Sequence, residues 1–192
     1  MTIASDNLRV SHVSTHVSLK QACELVRKER ILHVISLTHR ALYDFGIKRA
    51  RIAVAGLNPH AGENGLFGSE EIEEILPAID LAKQKGFDVH GPISPDALFF
   101  QATAGQYDAV VAMYHDQGHI PIKTTGFAMD DKGQMKAIGG VNITLGIPVI
   151  RVSVDHGTAF DRAWRGIARE DSLVEAVRWA ARLARGRNNH AK

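Results

Sequence analysis

Short apolar runs alternate with stretches of helical periodicity along this chain, and that alternation constrains its fold more than any other feature. Arg51-Ile-Ala-Val-Ala-Gly56 and Asp108-Ala-Val-Val-Ala-Met-Tyr114 read as buried strands. Ile31, Val34, Ile35, Leu37, Thr38, Ala41, Leu42 and Phe45 recur at helical spacing before Gly46, a residue suited to closing a helix. Residues 8–14 alternate as a strand after a turn at Asp6-Asn7, so residues 1–14 predict a hairpin whose first strand is a stub. Ser18 followed by Gln21 is a capping signature for a short helix. Residues 69–85 predict a helix kinked at Pro77. Further strands are expected at 87–90, 141–144 and 149–154, and a polar hairpin or excursion at 128–139. Helices are expected near Ser94, after His115, from Asp155 and from Ser172. The last carries Leu173, Val177, Ala180, Ala181 and Ala184 on one side, its expected apolar face. Strands alternating with helices predict an α/β class fold, a layered α/β/α arrangement around a mixed, largely parallel sheet. A length of 192 residues suits a single domain, 1–192, with 172–192 as a C-terminal helix and basic tail.

Composition narrows the function classes. The net charge is +2, and the basic residues crowd into Arg178, Arg182, Arg185, Arg187 and Lys192, which reads as a solvated helix end rather than a nucleic-acid surface. The single cysteine, Cys23, sits in an apolar helical pattern and is expected to be a buried thiol. One cysteine allows no internal disulfide, which suits a reducing compartment. No apolar run reaches the length of a membrane span, and the N-terminus lacks the pattern of a signal peptide. The expected location is the cytoplasm.

The chemistry concentrates where strands end. In open α/β sheets ligands bind beyond the carboxyl ends of the strands. His60, His115 and His156 each follow a predicted strand and have glycine nearby, and imidazole is a common ligand for zinc-like ions. The other histidines, among them His12, His16 and His119, are read as ordinary. Arg151 lies in an apolar strand and needs an anion, either a protein carboxylate or a substrate group. Lys123 and Arg151 together suit a phosphorylated molecule. Neither a Gly-x-Gly-x-x-Gly turn nor a Walker loop is present. These residues alone imply a metal-assisted enzyme acting on an anionic small molecule.

Four segments carry a more specific signal. Gly56-Leu-Asn-Pro-His-Ala-Gly-Glu63, Met113-Tyr-His-Asp-Gln-Gly118, Gly140-Val-Asn-Ile-Thr-Leu-Gly146 and Ser153-Val-Asp-His-Gly-Thr158 resemble, in order, the 4-hydroxythreonine-4-phosphate dehydrogenase family of vitamin B6 synthesis. The resemblance implies an NAD- or NADP-linked oxidation of a secondary alcohol aided by a divalent metal: zinc, or else magnesium or cobalt. A β-keto acid that can lose carbon dioxide would result. It implies metal ligands at His60 and His115, and substrate contacts at Lys123, Asn142 and Arg151. It assigns no residue to the nicotinamide cofactor and leaves His156 out of the metal set. It further implies an isocitrate/isopropylmalate dehydrogenase-like architecture, truncated here at its N-terminus, and a homodimer with the site at its interface. By the same comparison the third metal histidine is expected upstream, in a Gly-His-Thr-Glu-like segment. The face of Trp179 and Leu183 is expected to lack its partner. Residues 128–139 depart from the vitamin B6 enzymes. Relatives of those enzymes act on threonate or erythronate 4-phosphate, or on cyclic dihydrodiols. The competing expectation is a catalytically silent fragment that keeps a partial metal or phosphate site.

Overall fold

A computed structural model describes residues 1–5, 7–129, 135–137, 140–158, 160–168 and 170–190. Strand β1 (Thr2–Ala4) pairs antiparallel with β2 (Arg9–His12), which confirms the stub hairpin. Ser18 then caps α1 (Leu19–Glu24), its hydroxyl accepting from the Gln21 amide at 3.2 Å. Helix α2 (Lys28–Asp44) leads to β3 (Arg51–Ala55). A π-helical turn, Glu71–Ile75, runs into α3 (Leu76–Gln84). Pro77 lies just after that turn. It has no amide hydrogen to give, and the wider turn absorbs the disruption expected there.

Next come β4 (Asp88–Ile93), α4 (Pro95–Thr103), β5 (Ala109–Ala112) and α5 (His115–Gly126). Strands β6 (Phe127–Met129) and β7 (Met135–Ala137) form a separate antiparallel hairpin where the polar excursion was expected. The rest of that excursion, 130–134 and 138–139, lies outside the described residues. Then follow β8 (Val141–Thr144), β9 (Arg151–Val154) and α6 (Asp171–His190). The helix expected from Asp155 is not there. A short turn, Phe160–Arg162, occupies its place, and Trp164 and Gly166 take positive φ beyond it, which breaks a right-handed helix.

The main sheet has the order β4-β3-β5-β2-β1-β8-β9. Strands β4, β3, β5 and β2 are parallel neighbours, and β1, β8 and β9 continue by antiparallel pairs. Two reversals bring β8 back to the direction of β2, so β1 and β9 alone run the other way among these strands. The expected mixed, largely parallel sheet is present, with helices on both faces. Side-chain alternation explains the layers. Ile52, Val54, Val111 and Met113 pack with residues of α2 and α3, including Ile31, Ile35 and Ile79. Ala53, Ala55, Val110 and Ala112 pack with Leu98, Phe99 and Ile122 of α4 and α5. Each large aliphatic side chain buried this way contributes about 1.5–3 kcal/mol.

Three expectations about burial fail. Helix α6 buries Ala176, Trp179 and Leu183, while Leu173 and Val177 are 61% and 59% exposed. The buried set is spaced by three and four residues, so it is the helical stripe next to the expected one. Trp179 meets Phe45 edge-on at 5.0 Å, and this face covers β8 rather than lacking a partner. Cys23 is exposed, because α1 lies on the surface and buries only Ala22. No helix among the described residues is long and apolar enough to cross a membrane.

Trp179→Ala is expected to lower stability by about 3–5 kcal/mol, measured by urea unfolding. Leu173→Ala should leave it within about 0.5 kcal/mol. Equal losses from both would contradict the assignment of the buried face.

Candidate metal and substrate cleft

The carboxyl ends of β3, β5 and β2 lie side by side, since the three strands are parallel neighbours. The chain leaves them towards His60, His115 and His16 respectively. Strand β9 runs the other way, so His156 follows a strand that ends at the opposite side of the sheet. Its ring is exposed, with Nδ1 2.9 Å from the Gly157 carbonyl. The strand-end argument therefore selects His16 in place of His156. The signal was available: His16 follows β2 by four residues, much as His60 follows β3 by five. Strand direction, which excludes His156, is not visible in the sequence.

A cleft of about 610 Å³ is lined by Thr15, His16, Ser18, Tyr114, His115 and Asp116, with α1 residues on its far side. The His16 and His115 ring centroids are 5.5 Å apart. Nδ1 of His115 lies 2.6 Å from Oδ1 of Asp116. If Nδ1–H donates to that carboxylate, Nε2 carries the lone pair and the ring is turned out as a ligand. Behind it, His119 stacks on His115 at 3.6 Å and 11°. Nδ1 of His119 is 2.9 Å from the His115 carbonyl. His12 lies behind His119 at 4.7 Å and 45°. Four imidazoles thus run from the core to the cleft. Burial pushes the His12 pKa down to about 3, helped by His119 beside it. Burial also lowers that of His119, against the hydrogen bond to the His115 carbonyl.

The first turns of α5 are tied down by buried contacts. The Gln117 carboxamide accepts from the Met113 amide at 2.7 Å and donates to the Gly56 carbonyl at 2.8 Å, joining the ends of β5 and β3. Gly118 lies against the His12 ring so closely that a Cβ would collide with Nε2.

The His60 loop is built differently. His60, Ala61, Glu63 and Asn64 all have positive φ, between 42° and 56°, and form a left-handed turn over Pro59–Gly65. Each non-glycine residue there costs roughly 1–2 kcal/mol. Buried Glu71 offsets the strain. Its Oε1 accepts from the Leu57 and Asn58 amides, both at 2.7 Å, and its Oε2 from the Asn58 carboxamide at 2.8 Å. Gly62 leaves room for that carboxylate, since a Cβ would lie 2.7 Å from Oε2. His60 itself is exposed, with Phe67 6.4 Å away. Strained backbone held by several hydrogen bonds is a frequent feature of functional loops.

The expected substrate residues are more dispersed. Lys123 lies two helical turns from His115, roughly 12 Å along α5. Its Nζ is 3.2 Å from Oδ2 of Asp155. The Asn142 side-chain nitrogen is 3.2 Å from the Met1 sulfur, and its Oδ1 is buried with no partner among the described residues. Arg151 corrects an expectation. It is exposed on the edge strand β9 and donates to the Thr144 hydroxyl at 2.8 Å, so it is no buried guanidinium in need of an anion. Strand β9 is four places from β5, about 19 Å at 4.8 Å per strand. Among the described residues no group of three or more His, Cys, Asp or Glu side chains is arranged to hold a metal. The structure brings His16 to His115 and Lys123 to Asp155, but does not gather His60, His115, Lys123, Asn142 and Arg151 in one place.

Polar loops at the carboxyl ends of parallel strands, over a mixed sheet covered by helices, define an α/β domain of the class in which ligands bind at that edge. The chain belongs to the family described as Pyridoxal phosphate biosynthetic protein PdxA, whose sequence model matches residues 1–180. It is 50% identical over 184 residues to D-threonate 4-phosphate dehydrogenase of Pectobacterium atrosepticum, covering 96% of this chain and 53% of that protein. It is 52% identical over 182 residues to 4-hydroxythreonine-4-phosphate dehydrogenase of Desulforapulum autotrophicum, covering 94% and 51%. The crystal structure of 4-hydroxythreonine-4-phosphate dehydrogenase from Klebsiella pneumoniae superposes with a TM-score of 0.81 at 48% identity, covering 95% of this chain and 53% of that one. The chain spans about half the length of the curated relatives it matches.

His12 makes stability depend on pH. Its pKa is lower in the folded state than in the unfolded chain, which takes up the proton first as pH falls below about 6.5. Stability is therefore lost between about 6.5 and 3, at up to about 1.4 kcal/mol per pH unit. Urea midpoints measured from pH 7 to 5 should fall, and fall less steeply in His12→Leu. Parallel slopes would refute this origin.

Proposed function

We propose that this chain forms part of an NAD- or NADP-linked dehydrogenase that oxidises the secondary alcohol of a phosphorylated hydroxy acid with the aid of a divalent metal. The observation that carries the reading is the pairing of His16 with His115 at the cleft, with Asp116 fixing the outward nitrogen of His115. The D-threonate and 4-hydroxythreonine 4-phosphate dehydrogenases among its relatives support this substrate class. A cytoplasmic site of action accords with that chemistry.

His60, His115 and His16 would hold the metal. Neutral imidazoles suit zinc, with cobalt as a close substitute and magnesium the poorer fit. The bound ion would stabilise negative charge on the alcohol oxygen as hydride departs. The three rings do not converge within one chain, and the interface expected from the family resemblance supports a site closed between two copies. That reading replaces the expectation of a third histidine from an upstream segment. Lys123 and Arg151 would bind the anionic ends of the substrate, Lys123 as a point charge and Arg151 through its planar fork. Asn142 would contact the substrate through its carboxamide, in line with the family resemblance.

The test is NAD(P)H formation from D-threonate 4-phosphate and from 4-hydroxythreonine 4-phosphate by the protein carrying this chain. Chelation should abolish turnover and zinc or cobalt should restore it. His16→Ala and His115→Ala should each lower kcat/KM by at least about 100-fold. Turnover that survives chelation and both substitutions would sink the proposal.

A further inference from the structure

We infer that His119 is a positioning residue for His115: its ring, stacked face to face and seated on His12, holds the plane and tautomer of the imidazole presented at the cleft. This rests on the functional reading of His115 as a metal ligand. Three observations carry it. His115 and His119 are one helical turn apart on α5, and their rings lie 3.6 Å apart and 11° from parallel. His119 is itself fixed twice, by Nδ1 at 2.9 Å from the His115 carbonyl and by the His12 ring 4.7 Å behind it. His12 is 1% exposed, and neither of its ring nitrogens has a partner in hydrogen-bonding geometry among the described residues.

That last fact needs a reason. A buried polar group without a partner costs on the order of 1–3 kcal/mol, and a leucine of similar size would avoid the penalty. What an imidazole offers that leucine does not is a flat aromatic face. Gly118 keeps the helix backbone close enough for that face to bear on His119, since a Cβ there would strike the His12 ring. Asp116 then acts on His115 from one side, through Nδ1, and His119 from the other, through the ring face. The carboxylate sets the proton, and the stacked ring sets the orientation. Without His119, rotation about χ1 and χ2 would let His115 leave the Asp116 hydrogen bond.

The test compares the full chain with His119→Leu and His119→Phe, and with His115→Ala as reference. Two-bond nitrogen–proton correlation spectra read the tautomer of His115. The ring-current shift of its carbon-bound protons reads the stack. Wild type should show one tautomer and upfield-shifted ring protons. His119→Leu should show averaged nitrogens and lose the upfield shift, and His119→Phe should restore both. Cobalt(II) titration followed by visible absorption should give affinity about 10-fold weaker in His119→Leu, the scale of an outer-shell loss at a metal site, and near wild type in His119→Phe. A side chain that only supported the fold would lower the unfolding midpoint and leave the His115 spectrum alone. Unchanged His115 resonances in His119→Leu would overturn the inference. So would altered resonances with unchanged cobalt affinity. If His115→Ala binds cobalt as wild type does, the metal reading fails, and the role of His119 towards a ligand fails with it. The spectra then still report separately whether the stack orients the ring.

Discussion

The Gln117 carboxamide, buried between the ends of β3 and β5, is the contact on which the site depends. It accepts from the Met113 amide and donates to the Gly56 carbonyl, so one side chain satisfies backbone groups at two strand ends. Those are the points where the His60 and His115 loops depart. Buried backbone groups left unpaired there would each be costly. The next two residues extend the anchoring. Gly118 seats the helix on β2, and His119 lies under His115. Three consecutive residues thus lock the first turns of α5 to three parallel strands. The cleft histidine inherits its position from the sheet.

The His115 and His60 loops are held in place by opposite means. His115 opens a right-handed helix whose neighbours leave the ring little freedom. His60 sits in a left-handed turn that its own sequence disfavours at four non-glycine positions. Glu71 makes that turn persist by receiving three hydrogen bonds from residues 57 and 58. It can do so because the π-helical turn that carries it precedes Pro77, and because Gly56 and Gly62 have no side chains to obstruct it. The cost of the strained loop is met by charge-assisted hydrogen bonds inside a protein wall, where such bonds are strongest.

Local signals made most of the fold legible in the sequence. The strand alternation, the Ser18 cap and the helix closed at Gly46 all depend on neighbours within a few residues, and all stand. Arguments needing knowledge of partners fared worse. On α6 the small and aliphatic residues Leu173, Val177, Ala180, Ala181 and Ala184 share one side. The large Trp179 ring instead decided which side turned inward, against Phe45 and β8. Arg151 looked buried because its strand is apolar, but an edge strand leaves such a residue in water. His156 and His16 exchanged standing for a topological reason: three successive antiparallel pairings reverse β9 relative to β2. No pattern within either segment encodes that reversal.

The row of histidines follows from this topology as well. His12 and His119 are far apart in sequence and look unremarkable where they stand. They meet because β2 lies next to β5, and because the helix leaving β5 folds back across both strands. A histidine on the inner face of β2 must then lie under the second turn of that helix, whatever residue occupies it. An apolar residue would have satisfied packing at both positions. Two imidazoles instead occupy a poorly hydrated place, where both have lowered pKa values and neither ring nitrogen of His12 has a hydrogen-bond partner among the described residues. Packing alone gives no reason for that choice. A flat ring behind His115 does, because it restrains the half-buried imidazole at the cleft.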